Sequence, residues 1–210
     1  MRIGLDLDGT IITCKSKQCV LIATIAKAFD LPFCESEYWQ DKRSGLNNKL
    51  ALINQGISDE LSSKINKIWI DNIEQVQWAG LDKLLEGSVE ALSDLKADGH
   101  TLHLISARNN IQNARLQLEW LGLSKLFETI DFVSIQSKKN KSFYFKKREI
   151  DCYFGDTEAD AKESKVADID FYSVLSGMRN IEFFNNLELE NDISLNLNQA
   201  IPHILKTEKQ

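Results

Sequence analysis

Two short acidic stretches carry the residue types that could do chemistry. Near the start of the chain a strand-like run leads into Asp6-Leu7-Asp8-Gly9-Thr10, and much later Gly155-Asp156-Thr157-Glu158-Ala159-Asp160 follows a second one. In open parallel sheets the carboxyl ends of the strands form the ligand crevice, so each stretch would deliver acids to it. Taken singly, each has an ordinary alternative: an Asp-Gly turn for the first, and a helix-capping aspartate with solvated first-turn acids for the second. Taken together they imply more. Three or four carboxylates converging on one crevice repel by about 4 kcal/mol per pair at ~4 Å with an effective dielectric near 20, so a positive charge must sit among them. Oxygen-only donors suit a hard ion of the magnesium type rather than zinc. Such an ion beside a free carboxylate points to phosphoryl chemistry, because it neutralises the phosphate that would otherwise repel an attacking acid.

The elements that must position these acids follow from the apolar pattern. Strand signals lie at Arg2 to Leu7, Thr101 to Ile105, Phe132 to Ile135, Cys152 to Phe154 and Phe171 to Leu175. Each is short and not strictly alternating, as parallel strands covered on both faces are. From Val89 onward strands alternate with helical stretches, Val89 to Asp98 before Gly99 and Ile111 to Leu121 before Gly122. This pattern predicts an α/β fold with a doubly wound parallel sheet. Between the first two strands the chain reads as helices only, at Cys19 to Phe29, around Leu46 to Ile53, and after Ser58, whose helix opens with Asp59 and Glu60. That block is too long for one crossover. It reads as a helical insertion over residues 16–85, seated above the end of the first strand, with residues 1–15 and 86–210 as the core. The tail after Gly177 shows one helical stretch, near Leu197 to Leu205.

The order and spacing of these stretches resemble the haloacid dehalogenase superfamily of phosphohydrolases, over essentially the whole core. The resemblance implies that Asp6 is a nucleophile forming an aspartyl-phosphate and that Asp8 is the general acid and base. It also implies a magnesium ion (Mg2+) held by Asp6, Asp8 through its backbone carbonyl, and Asp156, with Asp160 ligating through water or orienting the others. Dehalogenating members lack the second aspartate, so Asp8 implies phosphate substrates. Ser106, in Leu104-Ile105-Ser106-Ala107-Arg108-Asn109, fits the family's second motif, with Ser106, Ala107 and Arg108 as phosphate contacts. On residue type alone, Ser106 or Asn109 serves equally as a cap for the following helix. Five lysines compete for the third motif: Lys138, Lys139, Lys141, Lys146 and Lys147. Lys141 is the choice, because the segment from Lys141 to Asp156 is similar to that of class B acid phosphatases. The inserted block resembles a substrate-selecting cap. Within it Tyr38, Trp39, Lys42, Arg43, Ser44 and Gly45 form a polar segment able to face a leaving group, while Trp39, Trp69 and Trp78 are expected in the core of the bundle.

Composition limits the partners. The 210 residues include 31 acidic and 25 basic side chains, a formal charge of -6 that disfavours nucleic acid in general. No apolar run reaches the roughly 18 residues of a membrane span, and Met1 to Asp6 leaves no room for a leader before the first strand. Cys14, Cys19, Cys34 and Cys152 show neither paired zinc spacing nor disulfide density, so reduced thiols in a cytoplasm are expected. The expected activity is hydrolysis of a small phosphorylated metabolite. A phosphomutase, a nucleotide or nucleic-acid-end phosphatase and an inactive binding module of the same fold are the alternatives.

Overall fold

The computed structural model describes residues 1–134, 137–187 and 192–201. Strand β1 (Arg2–Leu5) is followed by five helices, α1 (Lys15–Ala28), α2 (Glu35–Arg43), α3 (Asn48–Asn54), α4 (Asp59–Asn72) and α5 (Val76–Ala79). The chain then alternates: α6 (Ser88–Ala97), β2 (Thr101–Ala107), α7 (Ile111–Trp120), β3 (Thr129–Val133), α8 (Lys141–Arg148), β4 (Cys152–Gly155), α9 (Glu158–Ala167), β5 (Asp170–Val174), α10 (Ile181–Asn185) and β6 (Asp192–Ser194). The strands form one parallel sheet in the order β3-β2-β1-β4-β5-β6. Strand order reverses at β1, between β2 and β4, which is where such a sheet opens its crevice.

The α/β reading of the sequence is therefore correct, with shifts at the edges. β1 stops at Leu5 rather than Leu7, because the chain turns sharply there: the amides of Ile11 and Ile12 both return to the carbonyl of Leu7 (2.9 and 3.0 Å), and Gly9 adopts a φ of 75°. β3 starts at Thr129, three residues before the expected Phe132, and Ile135 lies outside the described residues. Its first three residues are only half-buried, since β3 is an edge strand, so polar Thr129 and Asp131 disguise it. The edge strand β6 was not foreseen, and neither were α2, α5 and α10. The expected tail helix is present at 197–201 and contributes Leu197, Ala200 and Ile201 to the core; its predicted continuation to Leu205 lies outside the described residues.

Apolar side chains pack on both faces of the sheet. Leu102, Leu104, Cys152 and Phe154 join one cluster with Ile3 and Leu5, while Ile105 and Tyr153 join the cluster on the other side. Gly4 is required by this packing. A Cβ there would stand 2.7 Å from the Tyr153 ring, which fills the space. The helices between β1 and α6 have a separate core around Tyr38, Leu52 and Ile65, against which Trp39, Trp69 and Trp78 pack, as expected of large aromatics. Tyr38 is fully buried, its hydroxyl donating to Asn48 Oδ1 (2.8 Å). The chain enters and leaves this block side by side, with Thr13 N–H donating to the carbonyl of Lys83 (2.8 Å) and Leu85 N–H to that of Ile11 (2.9 Å).

Leu104 is fully buried in the centre of the sheet, so Leu104→Ala is expected to lower unfolding stability in urea by about 2–5 kcal/mol. The exposed Val166→Ala should change it by no more than about 0.5 kcal/mol in the same titration.

Candidate active site

Parallel pairing brings the two acidic stretches together. Leu5 is in register with Leu104 on one side and Phe154 on the other, and Asp6 N–H donates to the Phe154 carbonyl (2.9 Å). Just beyond, carboxylate oxygens of Asp6, Asp156 and Asp160 all lie within 4.8 Å of one another, and all three residues are buried. The central β1 supplies Asp6, the end of β4 supplies Asp156, and the first turn of α9 supplies Asp160. Helix α9 opens with a capping box: Thr157 N–H donates to Asp160 Oδ2 (3.2 Å) and Asp160 N–H to Thr157 Oγ1 (3.4 Å). The cap is thus Thr157, not Asp156, which is free to face the crevice.

Lys141 is the cation of this cluster. Its Nζ donates to Asp160 Oδ1 (2.5 Å) and to the Tyr153 hydroxyl (3.0 Å), and it lies 3.1 Å from Asp6 Oδ1. Tyr153 in turn donates to the Ile105 carbonyl (2.6 Å), which fixes its ring. Lys138, Lys139, Lys146 and Lys147 are exposed. The N-cap of α8 is Asn140, whose side chain accepts from Phe143 N–H and so seats Lys141 as the first helical residue.

One lysine does not balance three carboxylates. Burial pushes the Asp6 carboxyl up to about 6; Lys141 opposes the rise, while Asp160 and Asp8 add to it. Asp156 is raised well above the usual carboxylate range by burial, then by Asp6 and Asp160. Lys141 is held well above its ordinary value: burial opposes this, but Asp160 and Asp6 outweigh it. The remaining charge calls for a second cation, and the donors present are carboxylate oxygens. A buried Asp6 Oδ1 makes no hydrogen bond. The backbone also crowds Asp156: a Cβ on Gly9 or Gly177 would lie 2.2 or 1.9 Å from its Oδ2, and Met178 N–H donates to that oxygen (2.6 Å). These residues fit a hard divalent ion such as magnesium.

The Asp8 carboxylate faces elsewhere. It pairs with Lys17 (3.0 Å) and Arg108 (2.5 Å). Lys17 pairs with Asp82 (2.6 Å), Gln117 donates to Asp82 Oδ2 (2.9 Å), and Arg108 donates to Gln117 Oε1 (3.1 Å), which closes a ring. Burial alone would raise the Asp8 carboxyl, but Arg108 and then Lys17 hold it below its ordinary value. Of the expected phosphate contacts, Ser106 is buried in β2 beside Asp6, whose pKa its hydroxyl helps to lower. Ala107 is exposed at the strand end, and Arg108 is committed to Asp8. Neither Ser106 nor Asn109 caps α7; that role belongs to Asn110, whose side chain accepts from Asn113 N–H (3.0 Å). In the polar segment of the helical block, Arg43 donates to the carbonyls of Leu175 (2.7 Å) and Arg179 (2.9 Å), while Lys42 is buried. Sequence reasoning missed Lys17, Asp82, Gln117, Tyr153 and Met178. Of these only Met178 had a usable signal, its place just beyond the carboxyl end of a strand.

Comparison with known proteins agrees with this fold. The chain resembles solved structures along nearly its full length: a haloacid dehalogenase-like hydrolase from Streptococcus pneumoniae (14% identity, TM-score 0.76, 97% of each chain covered), a candidate phosphatase from Clostridium acetobutylicum (19%, 0.72, 98% of each) and a candidate phosphoglycolate phosphatase from Lactobacillus delbrueckii subsp. bulgaricus (14%, 0.73, 97% of each). At these identities the likeness shows the shared fold. No curated protein matches the chain. Residues 3–174 match the family described as haloacid dehalogenase-like hydrolase, and a match over most of the chain makes this protein a member of that family.

Proposed function

We propose that the protein is a magnesium-dependent phosphatase that hydrolyses a small phosphomonoester through an aspartyl-phosphate on Asp6, with residues 16–85 acting as a cap over residues 1–15 and 86–210. The observation that carries this reading is the convergence of buried Asp6, Asp156 and Asp160 on one point with Lys141 as their cation. Magnesium, bound by Asp6, Asp156 and the backbone carbonyl of Asp8, supplies the positive charge that lets a phosphate dianion approach an anionic nucleophile. Asp160 then orients the first ligands and Lys141.

The chain's own groups divide the reaction into two displacements. An Asp6 oxygen attacks phosphorus, the bond to the leaving oxygen breaks, and that oxygen takes a proton from Asp8. In the second half Asp8 takes a proton from water, whose oxygen attacks phosphorus and releases phosphate and the free Asp6 carboxylate. Ser106 and Lys141 hold phosphoryl oxygens during both halves. Arg108 is shared: an incoming phosphoryl group that draws it from Asp8 raises the proton affinity of Asp8, as an acid catalyst requires. The described part of the chain contains no helix long and apolar enough to cross a membrane, and the phosphoglycolate named for the Lactobacillus relative is one substrate to try. The cytoplasmic placement rests on the unpaired cysteine spacing, and a small metabolite as partner rests on the cap.

With p-nitrophenyl phosphate, magnesium is expected to support phosphate release that a chelator abolishes and that Asp6→Asn lowers by at least about a thousandfold. Release that survives either change would overturn the mechanism. Metal linkage gives a second check. The Asp6 carboxyl, about 6 when folded against 3.8 ordinarily, binds its proton more tightly in the native state. The metal-free protein is therefore free of this penalty below the ordinary value and loses stability as pH rises through 6. Added magnesium should raise the melting temperature more at pH 7.5 than at pH 5. The gain at saturation is about 2.7 kcal/mol for a concentration near 100 times Kd, and Asp156→Asn should remove most of it.

A further inference from the structure

Lys42 is unusual among the basic residues of this protein. It is 7% exposed, and among the described residues no hydrogen bond or ion pair engages its ammonium. Burial, then Arg179 nearby, pushes it down to about 8, and the opposing pull of Glu158 offsets this only in part. Its neighbour Arg43 has two carbonyl partners, and Arg179 is neutralised by Glu158 through two contacts of 2.7 and 2.8 Å. Gln18 on α1 presents a second open group. It is 9% exposed, its amide donates to Met178 Sδ (2.9 Å), and its Oε1 is buried without a partner.

Both residues adjoin the acidic cluster. The Lys42 carbonyl accepts from Arg179 Nη1 (3.0 Å) and Gln18 touches Met178, so both hold the loop whose Met178 N–H binds Asp156. Cys14 lies within electrostatic reach of Lys42 on one side and of Asp156 and Asp8 on the other. Among the described residues, a buried lysine whose ammonium has no hydrogen bond or ion pair and a buried amide oxygen without a partner thus both adjoin the loop that holds Asp156, and such groups are costly to bury unless water or a ligand satisfies them.

We infer that Lys42 and Gln18 form the leaving-group subsite, and that the substrate's leaving group carries a carboxylate for Lys42 with a hydroxyl or amide hydrogen for Gln18 Oε1. This rests on the phosphatase reading of the same crevice. Charge matching selects a carboxylate over a second phosphate: one free ammonium neutralises one negative charge, whereas a dianion would leave a buried charge unpaired. Lys42 is a specificity residue that touches the part of the substrate away from phosphorus.

The test uses three probes: phosphoglycolate, its uncharged amide, and ethanediol bisphosphate. Calorimetry on magnesium-loaded Asp6→Asn protein should show phosphoglycolate binding at least about tenfold more tightly than the amide, the scale of one charge-assisted hydrogen bond. It should also bind more tightly than the bisphosphate. Adding Lys42→Met or Lys42→Gln should bring the acid-to-amide ratio close to one, and kcat/KM of the unmodified enzyme should follow the same order. Equal affinity for acid and amide, undetectable binding of both included, overturns the inference, as does a ratio that survives both Lys42 substitutions. A preference for the bisphosphate overturns the carboxylate assignment. If the Lys42-dependent preference appears in binding while the unmodified enzyme releases no phosphate from any ester, the phosphatase reading fails and the subsite stands.

Discussion

The mutual repulsion of Asp6, Asp156 and Asp160 is the constraint to which much of this structure answers. Three buried carboxylates with one lysine are unstable as a group, and their surroundings hold them in place despite it. Gly4 makes room for Tyr153, Tyr153 and Asp160 grip Lys141, and the amide of Met178 donates to the Asp156 carboxylate. Gly9 and Gly177 let the backbone approach the Asp156 carboxylate at distances that no side chain would permit. A site built this way carries an excess of buried negative charge that a divalent cation would offset, and the proposed phosphatase reading rests on that demand.

Asp8 lives in a different electrostatic setting two residues away. Arg108 and Lys17 hold it ionised, and Asp82 and Gln117 close the ring around it. Lys17 and Asp82 stand near the two points where the chain enters and leaves the helical block. The ring therefore ties the orientation of Asp8 to the seating of that block on the sheet. Two neighbouring carboxylates are thus driven apart in proton affinity by their partners, a pattern suited to a nucleophile and a proton carrier working side by side.

Much of the architecture was legible in the residues. The apolar runs of β1, β2, β4 and β5 are covered on both faces and read as continuous hydrophobic segments, so their places were found within two residues. The edge strands β3 and β6 were misread or missed because an edge is half solvated and carries polar residues such as Asp131 and Asp192. Helix α2 was hidden by its composition: ESEYWQDKR has no apolar stripe, and only Tyr38 and Lys42 are buried in it.

The sequence by itself determined that acids stand at the ends of two buried strands and that Lys141 opens a helix shortly before the second. Local pattern is enough for this, since strand ends, glycine turns and helix starts are set by residues a few places apart. Only the tertiary structure decided which charges meet: that Lys141 reaches Asp160 and Asp6, that Asp8 belongs to Lys17 and Arg108, and that Lys42 has no ion pair among the described residues. Those outcomes depend on contacts between residues as far apart as Asp8 and Arg108, or Lys42 and Arg179. Pairing and burial at such separations follow from the register of the sheet and the docking of the helical block, and no periodicity along the chain records either.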